Sequence, residues 1–171
     1  NLTPLGASHI RRLSMSVEKR IATKLRQALD TAYSNEELAR YWPFSKFPYD
    51  CCEHTCDILG YLLSEEGIKS VQIIGACKKG PTRRHVWLKT EKGVVIDITE
   101  NQFAGELLDE RDVEIVRVGI EGPAQRLFSK NRVEQPHTIF TDPREYTDFG
   151  GQPNPRQKRL IEVFAVIEKY L

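Results

Sequence analysis

The chain has 171 residues, 40% of them hydrophobic and 29% charged, with a formal net charge of +1. That length suffices for one domain with a substantial core, and the near-zero charge offers no general reason to expect nucleic acid or an anionic membrane as a partner. No stretch approaches the ~20 consecutive apolar residues of a membrane span, and four cysteines, two of them adjacent, do not make a disulfide scaffold. Reduced thiols in a cytoplasmic setting are therefore expected. The first residue is Asn1 rather than Met and no signal peptide is visible, so a single domain over 1–171, taken from a longer protein, is the expectation.

In SVEKRIATKLRQALDTAY, residues 16–33, Val17, Ile21, Leu25 and Leu29 recur four apart with Lys and Arg between them, which predicts an amphipathic helix. SNEELARYW has Ser34 and Glu37 at capping-box spacing and predicts a short helix from Asn35 that stops before Pro43. WPFSKFPY, aromatic and proline-rich, reads as an ordered loop. FPYDCCEHTC then opens a third helix, with Asp50 as N-cap, Glu53 completing the box, Cys56, Leu59, Leu62 and Leu63 as its apolar stripe, and Gly67 as its stop.

From Ser70 the period becomes strand-like: SVQIIGA is a strand, and RHVWLKT and VVIDIT flank Glu91-Lys92-Gly93 as a hairpin. QFAGELLDE predicts a short helix and VEIVRVG a further strand. Residues 123–154 carry Pro, Gly and Asp with few periodic apolar positions, so long loops are expected there, with one strand near HTIF. PRQKRLIEVFAVIEKYL closes the chain as a helix with Leu160, Val163, Phe164 and Ile167 facing one way. Helices, then an antiparallel sheet, then loops and a last helix form an α+β pattern. Lys78-Lys79 and Arg83-Arg84 make a small basic patch, read either as a solvated loop or as a surface that greets an acidic substrate.

Three of the four cysteines and one histidine lie within six residues, and three chemistries compete for them. A metal site would use Cys52, His54 and Cys56, but structural zinc needs a second cluster and only Cys77 lies elsewhere. Small buried thiols packing a helix on a sheet suit Cys56 and Cys77. With Asp50 as N-cap, Cys51 and Cys52 take the first two helical positions, where unpaired N–H groups and the helix dipole favour a thiolate. Asp50 opposes that with its own charge, and a nucleophile there still needs an adjacent base. His54 stands two positions along the same helix and points elsewhere; His9 and His137 lie in loop-like contexts and read as surface residues.

The hairpin supplies the base. Along RHVWLKT, His85, Trp87 and Lys89 alternate with Val86, Leu88 and Thr90. Asp97, set among aliphatic neighbours in VVIDIT, needs a partner if buried. A three-residue loop with left-handed Gly93 pairs Thr90 with Val94, so that His85 opposes Thr99 and Trp87 opposes Asp97. His85 and Asp97 then share a face within hydrogen-bond reach; a two-residue loop would put them on opposite faces. Asp97 would orient the imidazole, His85 would deprotonate the thiol, and Cys52 would attack a carbonyl carbon.

CCEHTCDILGYLLSEEGI followed by HVWLKTEKGVVIDIT resembles the papain-like superfamily in its transglutaminase-like branch, over roughly residues 47–103. Members carry a cysteine at the start of a core helix, a strand with His-Ala/Val-Trp and a following strand with aspartate; the matching positions are Cys52, His85-Val86-Trp87 and Asp97. The resemblance implies a core helix bearing the nucleophile packed on an antiparallel sheet, and acyl transfer on amides with a protein or peptide substrate and no cofactor. Protease, deamidase and transglutaminase chemistry all stay open, with a lean toward side-chain amides. Two departures stand out: Cys51 precedes Cys52 and stays an alternative nucleophile, and no glutamine lies in ARYWPFSKFPYD to serve as oxyanion donor. The Cys52 backbone N–H is one donor; Trp42 and Tyr49 are candidates for the other and for substrate contact, or else plain core or rim, while Trp87 either walls the site or fills the core beneath the hairpin.

The setting also resembles toxin or effector domains delivered by secreted bacterial proteins, which implies a target in a recipient cell and a neutralising immunity protein. A non-catalytic binding module of the same fold is the competing class, and a small zinc protein the third.

Overall fold

The computed structural model describes residues 15–79, 83–146 and 149–171. Among these, four α-helices run Val17–Ser34 (α1), Cys52–Glu65 (α2), Pro123–Leu127 (α3) and Pro155–Ile167 (α4), and five strands run Ser70–Ala76 (β1), Arg84–Thr90 (β2), Val95–Asp97 (β3), Arg117–Gly119 (β4) and Lys130–Gln135 (β5). The strands form one antiparallel sheet in the order β4-β3-β2-β1-β5. The α+β architecture with an antiparallel sheet agrees with the sequence pattern. No helix among the described residues is long and apolar enough to cross a membrane.

The sheet separates two apolar clusters, as the alternation of side chains along strands requires. Val86, Leu88 and Ile96 join Leu25 and Leu29 of α1, Ile58, Leu59 and Leu63 of α2, and Leu160, Val163 and Ile167 of α4 in the larger one. Ile73, Trp87 and Val95 join Phe103, Ala124 and Phe128 in the smaller one. Burying that many apolar side chains, at about 1.5–3 kcal/mol each, is the main favourable contribution to folding.

Several local expectations give way to tertiary structure. No helix forms between Asn35 and Pro43: Asn35 caps the C-terminus of α1, Glu36 takes a φ of 60°, and the chain turns. Glu37 does not reach back to Ser34; it accepts from Lys169 Nζ at 2.8 Å and Tyr170 Oη at 3.2 Å, fastening this turn to the chain end. QFAGELLDE is not a helix either, since the 3₁₀ turn Glu100–Phe103 precedes a bridge from Ala104 to Leu108. Only Arg117–Gly119 of VEIVRVG pairs as a strand. Within residues 123–154 the strand is not HTIF but Lys130–Gln135, an exposed edge beside β1, and Pro123–Leu127 adds a short helix. The last helix ends at Ile167 and continues as a 3₁₀ turn, Glu168–Tyr170; its start is capped by Asn154 and Gln157.

The hairpin that positions the site follows the expected register, with Leu88 opposite Ile96 and Lys89 opposite Val95. Thr90 N–H bonds to Val94 O at 2.9 Å, Gly93 N–H bonds to Thr90 O at 2.8 Å, and Gly93 holds φ 79°, a conformation other residues adopt at a penalty. α1 braces what lies on either side. Its buried Arg26 donates to Ile98 O at 2.7 Å and Asn101 Oδ1 at 2.8 Å just after β3, and its guanidinium sits 4.9 Å over the Phe47 ring just before α2.

Candidate active site

α2 begins one residue later than the sequence suggests. Asp50 takes a φ of 59° and turns its exposed carboxylate outward, within 4.0 Å of Lys46 Nζ, so it does not cap the helix. Cys51 is the N-cap residue, its carbonyl accepting Thr55 N–H at 2.8 Å, and Cys52 is the first helical residue. Glu53 completes no capping box; it pairs with Arg156 Nη1 of α4 at 3.0 Å.

The three clustered cysteines have different surroundings. Cys51 is fully buried, donates to Pro48 O at 3.3 Å and accepts from Thr55 Oγ1 at 3.6 Å. Burial pushes its thiol up to about 12, against the smaller effect of the Thr55 hydrogen bond, so it stays protonated at neutral pH. Cys56 is buried with Sγ 3.6 Å from Val86 O, and burial raises its thiol well above the ordinary range. Cys52 alone is half-buried and opens on a cleft of about 290 Å³, lined also by Trp42, Asp50, His54, Arg84 and Gln102. Among the described residues no three His, Cys, Asp or Glu side chains are gathered as a metal would require.

His85 and Asp97 meet as the register demands. His85 Nε2 lies 2.6 Å from Asp97 Oδ2, and both side chains are buried. Asp97 Oδ1 accepts from Thr99 N–H at 2.9 Å and Thr99 Oγ1 at 3.2 Å, while Oδ2 also accepts from Gln125 Nε2 at 2.7 Å. Burial penalises a charged imidazole, but the Asp97 carboxylate and its hydrogen bond, joined by Cys52, outweigh it and push His85 up to about 10. With Nε2 committed to Asp97, Nδ1 is the remaining ring nitrogen. It makes no aligned hydrogen bond, although the Cys52 thiol is close enough to act on the ring's protonation.

No protein-family model, characterised protein or solved structure matches the chain.

The other expected site residues divide. Trp42 is 57% exposed on the cleft rim, with Arg159 stacked 5.3 Å from its ring centroid. Tyr49 is exposed but stands outside the lining of this cleft. Trp87 does not wall the cleft: at 1% exposure it fills the smaller core behind His85, with ring centroids 5.7 Å apart. His54 lines the cleft but lies edge-on to Phe44 and Trp42; burial, then Arg156 and Arg159, lower it to about 4, so it is neutral at physiological pH. His137 is half-buried, its ring packed on Gly60 of α2. The expected role of His9 falls outside the described residues. In the basic patch, Arg83 pairs with Glu106 while Arg84 reaches the cleft.

Two glutamines were invisible as site residues. Gln102, 7% exposed, lines the cleft and donates to Thr99 O at 3.0 Å. Gln125 is fully buried against Asp97. A signal for its placement exists: in GPAQ, proline at the first and glutamine at the third helical position mark a helix start. A wider groove, about 560 Å³ between Ser64, Lys69, Lys89 and His137, contains none of Cys52, His85 or Asp97.

Proposed function

We propose that the protein is a thiol-dependent acyl-transfer enzyme acting on amides, with Cys52 as nucleophile, His85 as base and then acid, and Asp97 as the group that orients and charges the imidazole. The observation that carries this reading is the buried His85, held at Nε2 by Asp97 and left with Nδ1 free beside the one cysteine that opens on a cleft. The thiol proton rests on His85 Nδ1, as the raised proton affinity of the ring implies, and the Cys52 thiolate attacks the carbonyl carbon, forming an S–C bond and an oxyanion. The N–H of Cys52, a donor of the first helical turn, supplies one hydrogen bond to that charge. Collapse breaks the C–N bond, the amine leaves with the proton from His85, and a thioester remains. Water resolves it to a carboxylic acid, or a second amine resolves it to a new amide.

The finer fold reading belongs to the same proposal: a helix beginning at the nucleophile, packed on consecutive antiparallel strands bearing histidine and aspartate, supports a papain-like fold of the transglutaminase-like kind. Three assays on the purified chain separate the outcomes. Peptide cleavage, ammonia release from a glutamine-containing peptide, and incorporation of a fluorescent primary amine report protease, deamidase and transglutaminase activity respectively. Whichever occurs is expected to vanish in Cys52→Ala, and activity that survives this substitution refutes the proposal.

A further inference from the structure

The chemistry above makes no use of Gln125. Its Nε2 lies 2.7 Å from Asp97 Oδ2, the same oxygen that faces His85 Nε2 at 2.6 Å. An amide group is nearly symmetric in shape, yet its orientation here is forced. Gln125 Oε1 accepts the Gly122 backbone N–H at 2.9 Å, a group that can only donate, so the NH₂ must face Asp97. The backbone is fixed as well: Gln125 O accepts from Arg132 Nη2 at 2.7 Å, and Arg132 pairs with Glu121 and stacks 5.2 Å over the Trp87 ring.

A buried carboxylate needs donors at both oxygens to stay ionised and to keep one orientation. Thr99 supplies Oδ1; without Gln125, Oδ2 would rely on His85 alone. We propose that Gln125 is a positioning residue for the Cys52–His85 couple, acting through Asp97 by holding Oδ2 on Nε2 so that Nδ1 is presented to the thiol. This inference rests on the triad reading. Its α3 segment joins the site from outside the helix and hairpin that carry the triad.

The test is the rate of Cys52 alkylation by iodoacetamide on the full chain, from about pH 5 to about pH 10, with circular dichroism to verify folding. Gln125→Leu removes the donor and is expected to slow alkylation about ten-fold to a hundred-fold, the effect of one hydrogen bond to a charged group. Gln125→Glu keeps the volume and the Gly122 contact but donates only while its carboxyl is protonated. Alkylation of that variant should approach wild type at acid pH and fall as the carboxyl ionises, a profile that a space-filling residue would not produce. Wild-type rates and parallel pH profiles in both variants overturn the inference, and if Gln125→Leu does not fold, Gln125→Glu decides alone. Asp97→Asn in the same series separates the two levels. If it alkylates like wild type, the triad reading falls and this inference with it; if it slows while the Gln125 variants do not, only the inference falls.

Discussion

Replacing Asp97 by asparagine tests how the site is charged, because the substitution removes the charge and spares the shape. In the wild type His85 holds its proton up to about pH 10 against an ordinary 6.5, despite complete burial. A group whose folded pKa is raised contributes stability that is full below its unfolded pKa and is lost as pH rises through the folded one. Wild-type stability should therefore decline between pH 6.5 and about 10. Each tenfold of proton affinity corresponds to about 1.4 kcal/mol, which makes the total decline several kcal/mol. In Asp97→Asn only burial and the neighbouring thiol act on the ring, and burial favours the neutral form. The variant's His85 contribution should then rise toward pH 6.5 and stay flat above it. Urea unfolding at stepped pH, taken as the difference between the two proteins, cancels the Lys, Tyr and Cys titrations they share. A ¹³C-labelled histidine ring followed by NMR reads the same proton directly. A variant that keeps the wild-type decline above pH 6.5 would refute the charged His85–Asp97 pair.

Three further predictions address the surroundings. Iodoacetamide on the folded protein should give one adduct, on Cys52, because Cys51, Cys56 and Cys77 are buried and burial also raises the first two thiols; mass spectrometry showing Cys51 labelled first would reverse the assignment. Gly75→Ala should destabilise by about 1–3 kcal/mol or more, since an added Cβ would lie 1.7 Å from the Phe128 carbonyl oxygen, and an unchanged denaturation midpoint would show that β1 and the Phe128 segment are not so close. Burial raises Asp57 to about 6, so its stability contribution is lost as pH rises through that value, while His54, lowered to about 4, contributes stability that grows between about 4 and 6.5. Asp57→Asn should leave only the rising component, and pH-stepped unfolding that shows no steeper rise than wild type would exclude this account.

What the sequence makes legible is what local signals control. α1, α2 and α4 follow from apolar spacing, and the β2–β3 register follows from a single glycine at the third loop position. The His85–Asp97 contact could be read in advance because it depends only on that register. The Ser34–Glu37 box failed because Lys169 and Tyr170, distant in sequence, claim the Glu37 carboxylate. β5 escaped because KNRVEQ has no apolar alternation; an edge strand needs only its main chain to pair with β1. Asp50 was misplaced by one residue because a left-handed φ is invisible to a capping preference. That shift bears on the chemistry, since it moves the Asp50 carboxylate from the cap position to the exposed rim of the Cys52 cleft, beside Lys46.

The site is thus assembled in two stages along the chain. The helix start at Cys52 and the hairpin with His85 and Asp97 provide the reacting groups within a short span, yet neither is held by its own neighbours alone. Gln125 secures Asp97 from one side of the sheet. On the other, Arg156 of α4 binds Glu53 at 3.0 Å and Asp57 at 2.5 Å, both in the first half of α2. Gln72 of β1 also donates to Asp57, at 2.8 Å, and Thr138 N–H does so at 2.7 Å. A buried carboxylate with these donors is costly to leave unpaired, so the network specifies where α2 begins relative to the sheet. The distance between Cys52 and His85 is then set by residues from the last third of the chain. Truncation before α4 should therefore disturb that couple even though every reacting group would still be present.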